Sequence, residues 1–140
     1  MTQNPNEWIA TENQEQRSLV RWIRMQPQIR DYLVKLNNEG RRNTAQGWNL
    51  KMMGMCKGAS DLFLAYPIHP YHGLWIELKR SKRYCASERS HPTWIDQSAF
   101  IERMRGIGYD AHICFGFEEG IKVIKAYFGT QAQNLLQDHE

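Results

Sequence analysis

The sequence predicts an α/β domain, a mixed β-sheet flanked by α-helices. Three observations lead there. Several segments repeat apolar residues at helical spacing, with capping residues before them and glycine or proline after them. Others are short runs of strand-forming residues bounded by turn residues. Their order is helix, strand, helix, strand–strand hairpin, helix, strand, helix, which suits a sheet with helices packed on it.

In chain order, Thr11 is expected to cap a helix through ENQEQRSLVRWIRM, with Gln14 placed for a capping box and Pro27 beyond its end. Leu19 and Ile23, with Gln16 and Val20 beside them, form its inner face. Glu12 falls on the Gln16 side one turn earlier, and Glu15 is its rival as an inward carboxylate. Residues 29–36 read as a strand, and Asn37-Asn38-Glu39-Gly40 as a turn. Residues 44–53 read as a helix with Ala45, Trp48 and Met52 on one face, ended by Gly54. Residues 61–66 and 74–79 form a hairpin across a Pro/His/Gly loop. After a basic loop, Thr93 caps a helix whose stripe is Gln97, Phe100, Ile101 and Met104. Residues 109–115 form a further strand and 118–128 a final helix. Beyond Gly129 the polar tail is expected to fray.

The bulk properties bound the function. A chain of 140 residues with 41% apolar content suits one domain with its own core. The expected division is a loose lead-in over 1–10, a single domain over 11–129, and a tail over 130–140. No apolar run approaches the roughly 18 residues of a membrane span, and the N-terminus has no apolar signal region. The three cysteines are scattered and odd in number, against a disulfide framework and for a reducing cytoplasm. A net charge of +3 permits a polyanionic partner.

The chemistry concentrates in GASDLFLAYPIHPYHGLWIELKR, residues 58–80. Strand side chains alternate faces, so Trp75, Glu77 and Lys79 point one way and Leu74, Ile76 and Leu78 the other, into a core. Asp61 adds a carboxylate from the neighbouring strand. Two carboxylates converging from adjacent strands can bind a hard cation such as Mg²⁺, and a lysine beside them can position a water or stabilise a developing anion. The competing interpretation is an ordinary Glu–Lys pattern on a half-exposed strand. Gln97, a polar residue on an apolar stripe, needs a partner and favours the first reading. Arg41, Arg42, Lys51, Lys57, Arg80, Lys82 and Arg83 are candidate phosphate contacts. His69 and His72 lack the ligand set of a zinc site. Trp75 is assigned to packing, and His91 and His112 to structure.

The ordered set of Glu12 and Gln16, Gly58 and Asp61, Ile76-Glu77-x-Lys79, Gln97, and Gly108-Tyr109 resembles the PD-(D/E)XK nuclease superfamily, in particular its virus-type replication-repair (VRR-NUC) family. The resemblance spans about residues 12–128. It implies hydrolysis of DNA phosphodiesters with Mg²⁺ or Mn²⁺, leaving a 5′-phosphate and a 3′-hydroxyl. By resemblance, Asp61, Glu77 and the Leu78 backbone carbonyl hold the metal. Glu12 completes the acidic cluster, Lys79 serves the water or the transition state, and Gln97 orients the site. Stand-alone members resemble phage or bacterial homodimers that resolve Holliday junctions in DNA repair. A monomeric flap or single-strand nuclease and a catalytically inactive nucleic-acid-binding module are the alternatives. Ser60 stands where the family usually has proline, and the loop between Lys79 and Gln97 is long for the family.

Overall fold

The computed structural model describes residues 8–36, 44–81 and 92–137. Helix α1 spans Glu12–Arg24, and the expected capping box is present: the Thr11 hydroxyl accepts the Gln14 N–H and the Gln14 side chain accepts the Thr11 N–H. A 3₁₀ turn at Arg30–Tyr32 leads into strand β1, Leu33–Lys35. Then come α2 (Thr44–Met52), β2 (Leu62–Leu64), β3 (Leu74–Lys79), α3 (Pro92–Gly106), β4 (Asp110–Phe115), α4 (Phe117–Phe128) and α5 (Ala132–Leu135).

The four strands form one mixed sheet in the order β1-β2-β3-β4. β1 and β2 pair antiparallel, as do β2 and β3, while β4 lies parallel to β3 across the α3 crossover. Leu74, Ile76 and Leu78 of β3 and Leu62 and Leu64 of β2 bury against Leu19 and Ile23 of α1 and Ile124 and Phe128 of α4. Each such side chain taken from water contributes about 1.5–3 kcal/mol. Gly120 lets α1 and α4 close up, since a Cβ there would lie 2.9 Å from a Leu19 methyl. The opposite face of the sheet is covered around Trp75. Its ring stacks on Phe63 (4.3 Å between centroids) and meets Phe100 of α3 edge-on (5.0 Å), so it packs as expected. β3 is therefore buried on both faces, including its charged residues.

Several expectations are corrected. The first strand is short, because residues 30–32 coil into a 3₁₀ turn. Asp61 lies just before β2 rather than within it. Thr93 sits inside the first turn of α3 instead of capping it. On α2, Trp48 (64% exposed) and Met52 (68%) face outward, because that helix lies away from the core cluster. Nor does the chain fray at Gly129. Leu135 and Leu136 pack against the core, and buried Gln26 grips the backbone of Gln137 in both directions, Oε1 accepting its N–H at 2.6 Å and Nε2 donating to its carbonyl at 3.2 Å. Most of the lead-in and the end of the tail lie outside the described residues.

Candidate metal centre

Asp61 and Glu77 meet because β2 and β3 pair in a fixed register. Phe63 opposes Trp75, so one step further along the face brings Asp61 toward Glu77. Glu12 arrives from the first turn of α1. One carboxylate oxygen from each of the three lies within 4.8 Å of the others. Asp61 and Glu77 are buried, and Glu12 is half-buried. Lys79 stands beside them with Nζ 4.0 Å from Glu77 Oε1, and Gln97 Nε2 donates to that same oxygen at 2.9 Å. Leu78, whose carbonyl the resemblance makes a ligand, lies between Glu77 and Lys79 with its side chain in the core.

The burial decides how the strand's charge pattern is to be read. Glu77 is 1% exposed and Lys79 7%, so this is not the half-exposed pairing of an ordinary surface strand. Bringing a carboxylate out of water costs free energy unless it is paired. Burial pushes the Glu77 carboxyl up to about 8, with the Asp61 charge adding to the rise; the Lys79 ammonium opposes it, Glu12 adds a little more, and the Asp61 backbone amide opposes it. Gln97 satisfies Oε1, whereas Oε2 is buried with no hydrogen-bond partner. A buried glutamate with one unpartnered oxygen, its carboxylate converging with two others, is a poor arrangement for a bare protein and a good one for a hard divalent cation, which prefers oxygen ligands and neutralises their repulsion. The residues present fit such an ion.

Gly58 sets the position of Gln97. Its φ is +80°, and a Cβ there would collide with the Asp96 backbone. The first turns of α3 thus rest directly on the chain that leads into Asp61, one residue from Gln97. Lys57 adds an ion pair to Asp96 at 3.3 Å.

The other sequence candidates separate clearly. Glu15 turns away from the cluster and caps α4, accepting the Phe117 N–H at 2.7 Å. Of the candidate phosphate contacts, Lys51 is exposed on α2, Lys57 is paired with Asp96, and Arg80 is half-buried at the exit of β3. Arg41, Arg42, Lys82 and Arg83 lie outside the described residues, as do Cys85 and His91. His72 packs on Tyr109 and against Gly108, and His112 pairs with Asp110 at 2.8 Å, both structural roles. A feature missed in the sequence is a groove along α1 lined by Arg17, Arg21, Arg24 and Lys35. The spacing of the three arginines, at i, i+4 and i+7, was the available signal.

A solved structure described as a VRR_NUC domain protein has the same fold, with a TM-score of 0.69 and 26% identity over 86% of this chain and 90% of that one. At the level of the fold, then, the chain is VRR-NUC-like, with the α/β core of the PD-(D/E)XK nucleases. No protein-family profile matches the sequence, and no curated protein is significantly similar to it.

Proposed function

We propose that this chain, built on the VRR-NUC fold, is a divalent-metal-dependent DNA endonuclease. The observation that carries the reading is the convergence of half-buried Glu12 with buried Asp61 and Glu77, with Oε2 of Glu77 unpartnered and Lys79 beside them. Glu12, Asp61 and Glu77 would hold Mg²⁺ or Mn²⁺, with the Leu78 carbonyl as a further ligand by resemblance. The ion supplies Lewis acidity toward a phosphoryl oxygen. Gln97 keeps the Glu77 carboxylate in one orientation through Oε1. Lys79 holds the attacking water and offsets the negative charge that grows on the phosphoryl group. A water oxygen bonds to phosphorus as the P–O3′ bond breaks, leaving a 5′-phosphate and a 3′-hydroxyl that carries the proton.

The finer reading is a homodimer that resolves branched DNA such as Holliday junctions during DNA repair in a bacterial or phage-infected cell. Two cuts on a two-fold junction suit a C₂ pair of sites. The outward Trp48, Met52 and Met53 on and beside α2 support it, as an apolar surface that a second copy would cover. Free thiols at Cys56 and Cys114 suit the cytoplasm. Among the described residues no helix is long and apolar enough to cross a membrane.

The test is cleavage of a synthetic four-way junction, a 5′-flap and linear duplex with Mg²⁺, with Mn²⁺, or with chelator, alongside the mass in solution. Lys79→Ala and Asp61→Ala are expected to abolish cutting while binding persists. If both cut like the wild type, the site is misassigned. Paired symmetric nicks by a dimer support junction resolution, whereas a monomer cutting only flaps replaces it with the flap-nuclease reading. Metal-independent binding without cutting of any substrate leaves the inactive nucleic-acid-binding module.

A further inference from the structure

Beside the metal cluster, α1 turns a second face to solvent. Arg17, Arg21 and Arg24 stack along it at i, i+4 and i+7, all exposed. Lys35 of edge strand β1 faces them across a groove of about 740 Å³, and Asn13 and Gln16 line the end nearest Glu12. Like charges one turn apart destabilise a helix by a few tenths of a kcal/mol per pair. Among the described residues, no carboxylate pairs with the three arginine side chains. The acidic residues of α1 are engaged elsewhere, Glu12 in the cluster and Glu15 on α4. Arg21 and Arg24 lie in the last turn of α1, where positive charge suits the helix dipole, but Arg17 does not, and the summed charge of the row is complementary to a polyanion.

From this we infer that the α1–β1 groove is the track for the DNA backbone flanking the cut position. The inference rests on the nuclease reading and adds to it a binding surface distinct from the basic loops named in the sequence. At 1.5 Å per helical residue, Arg17 lies about 8 Å and Arg24 about 18 Å along the axis from Glu12. The three arginines thus span about 10 Å along the helix axis, close to the axial rise of three base-pair steps of roughly 3.4 Å in a duplex. A strand whose scissile phosphate sits at Glu12, Asp61 and Glu77 would meet Asn13 and Gln16 first and then three guanidiniums in succession. Such contacts position the strand and carry no sequence information. The groove would therefore fix how far from a duplex arm the cut falls, without base preference.

The experiment is fluorescence anisotropy of labelled duplex and four-way junction in chelator, where no strand is cut, across a range of salt concentrations. Arg17→Ala/Arg21→Ala/Arg24→Ala is expected to bind on the order of tenfold or more weaker, with the slope of log K against log salt reduced by about 2–3. Replacing the same three by lysine should keep most of the slope. Lys122→Ala, which removes one exposed charge from α4, should change little, separating a local track from net charge. Circular dichroism and thermal unfolding report whether the triple variant is folded, and Lys35→Ala alone tests the opposite wall with a slope loss of about 1. A wild type that binds and cuts DNA, with a folded triple variant of unchanged affinity and slope, overturns the groove and leaves the nuclease reading standing. A wild type that neither binds nor cuts overturns both.

Discussion

Glu15 accepts the Phe117 N–H at 2.7 Å and so supplies α4 with the cap that its own N-terminal residue, Gly116, cannot provide. This bond leaves Glu12 as the α1 carboxylate at the cluster. The two glutamates differ by one helical turn and do different work. Glu15→Gln removes a negative charge from a helix N-terminus and should cost about 0.5–2 kcal/mol of stability while leaving Mn²⁺ binding intact. Glu12→Gln should leave thermal unfolding of the metal-free protein near that of the wild type and weaken Mn²⁺ binding by about tenfold or more. Calorimetric titration and thermal unfolding of both variants check the pair. The reverse pattern would put Glu15 in the cluster.

Gly58 combines a positive φ with backbone contact to Asp96. An alanine there meets both the strain of the left-handed region and a collision that no side-chain rotation relieves. Gly58→Ala should lower stability by about 1–3 kcal/mol in urea unfolding. It should also reduce cutting, because α3 must move and carries Gln97 away from Glu77. The Gln97→Ala variant isolates the second effect: reduced cutting with stability close to wild type. A Gly58→Ala protein as stable and active as wild type would mean that α3 is not held by this contact.

The sequence was readable wherever one residue's neighbours in space follow from periodicity. Strand alternation set Glu77 and Lys79 on one face, and the hairpin brought Asp61 to them. Helical spacing placed Gln97 on an inward stripe. What could not be read depended on long-range packing. Glu12 and Glu15 both lie near the inner side of α1, and only the position of the α4 N-terminus separates them. Trp48 and Met52 have core-like spacing, but the spacing cannot tell a core from an uncovered surface. The α1 arginines went unread in the sequence, because the groove they line needs Lys35 of β1 beside them. The tail after Gly129 is polar in composition, yet its backbone is held by a glutamine 111 residues earlier.

That glutamine gives a further test. Gln26 is fully buried and satisfies both backbone groups of Gln137. Its removal leaves those groups without partners near the core, which costs about 1–3 kcal/mol. Gln26→Ala should lower the unfolding midpoint and open residues 130–137 to limited proteolysis before the domain itself is cut. Proteolysis of that segment at the wild-type rate would show that Leu135 and Leu136 hold it without the glutamine.

The proton on Glu77 links pH, stability and metal. With its carboxyl raised from 4.5 to about 8, folded protein retains a proton between those values that the unfolded chain has released. The folded state then binds more protons, so stability falls as pH rises through this window. Metal ligands must be deprotonated, and a bound cation displaces the proton. Metal-free protein should therefore lose thermal stability from pH 5 to pH 8, whereas the gain on adding saturating Mn²⁺ should be larger at pH 8 than at pH 6. Glu77→Gln should flatten the metal-free profile and remove most of the metal-dependent gain. Calorimetry in two buffers of different ionisation enthalpy should detect proton release on Mn²⁺ binding near pH 7. An equal metal-induced shift at both pH values, with no proton released, would mean that Glu77 is already ionised in the metal-free protein and that Lys79 and Gln97 outweigh its burial.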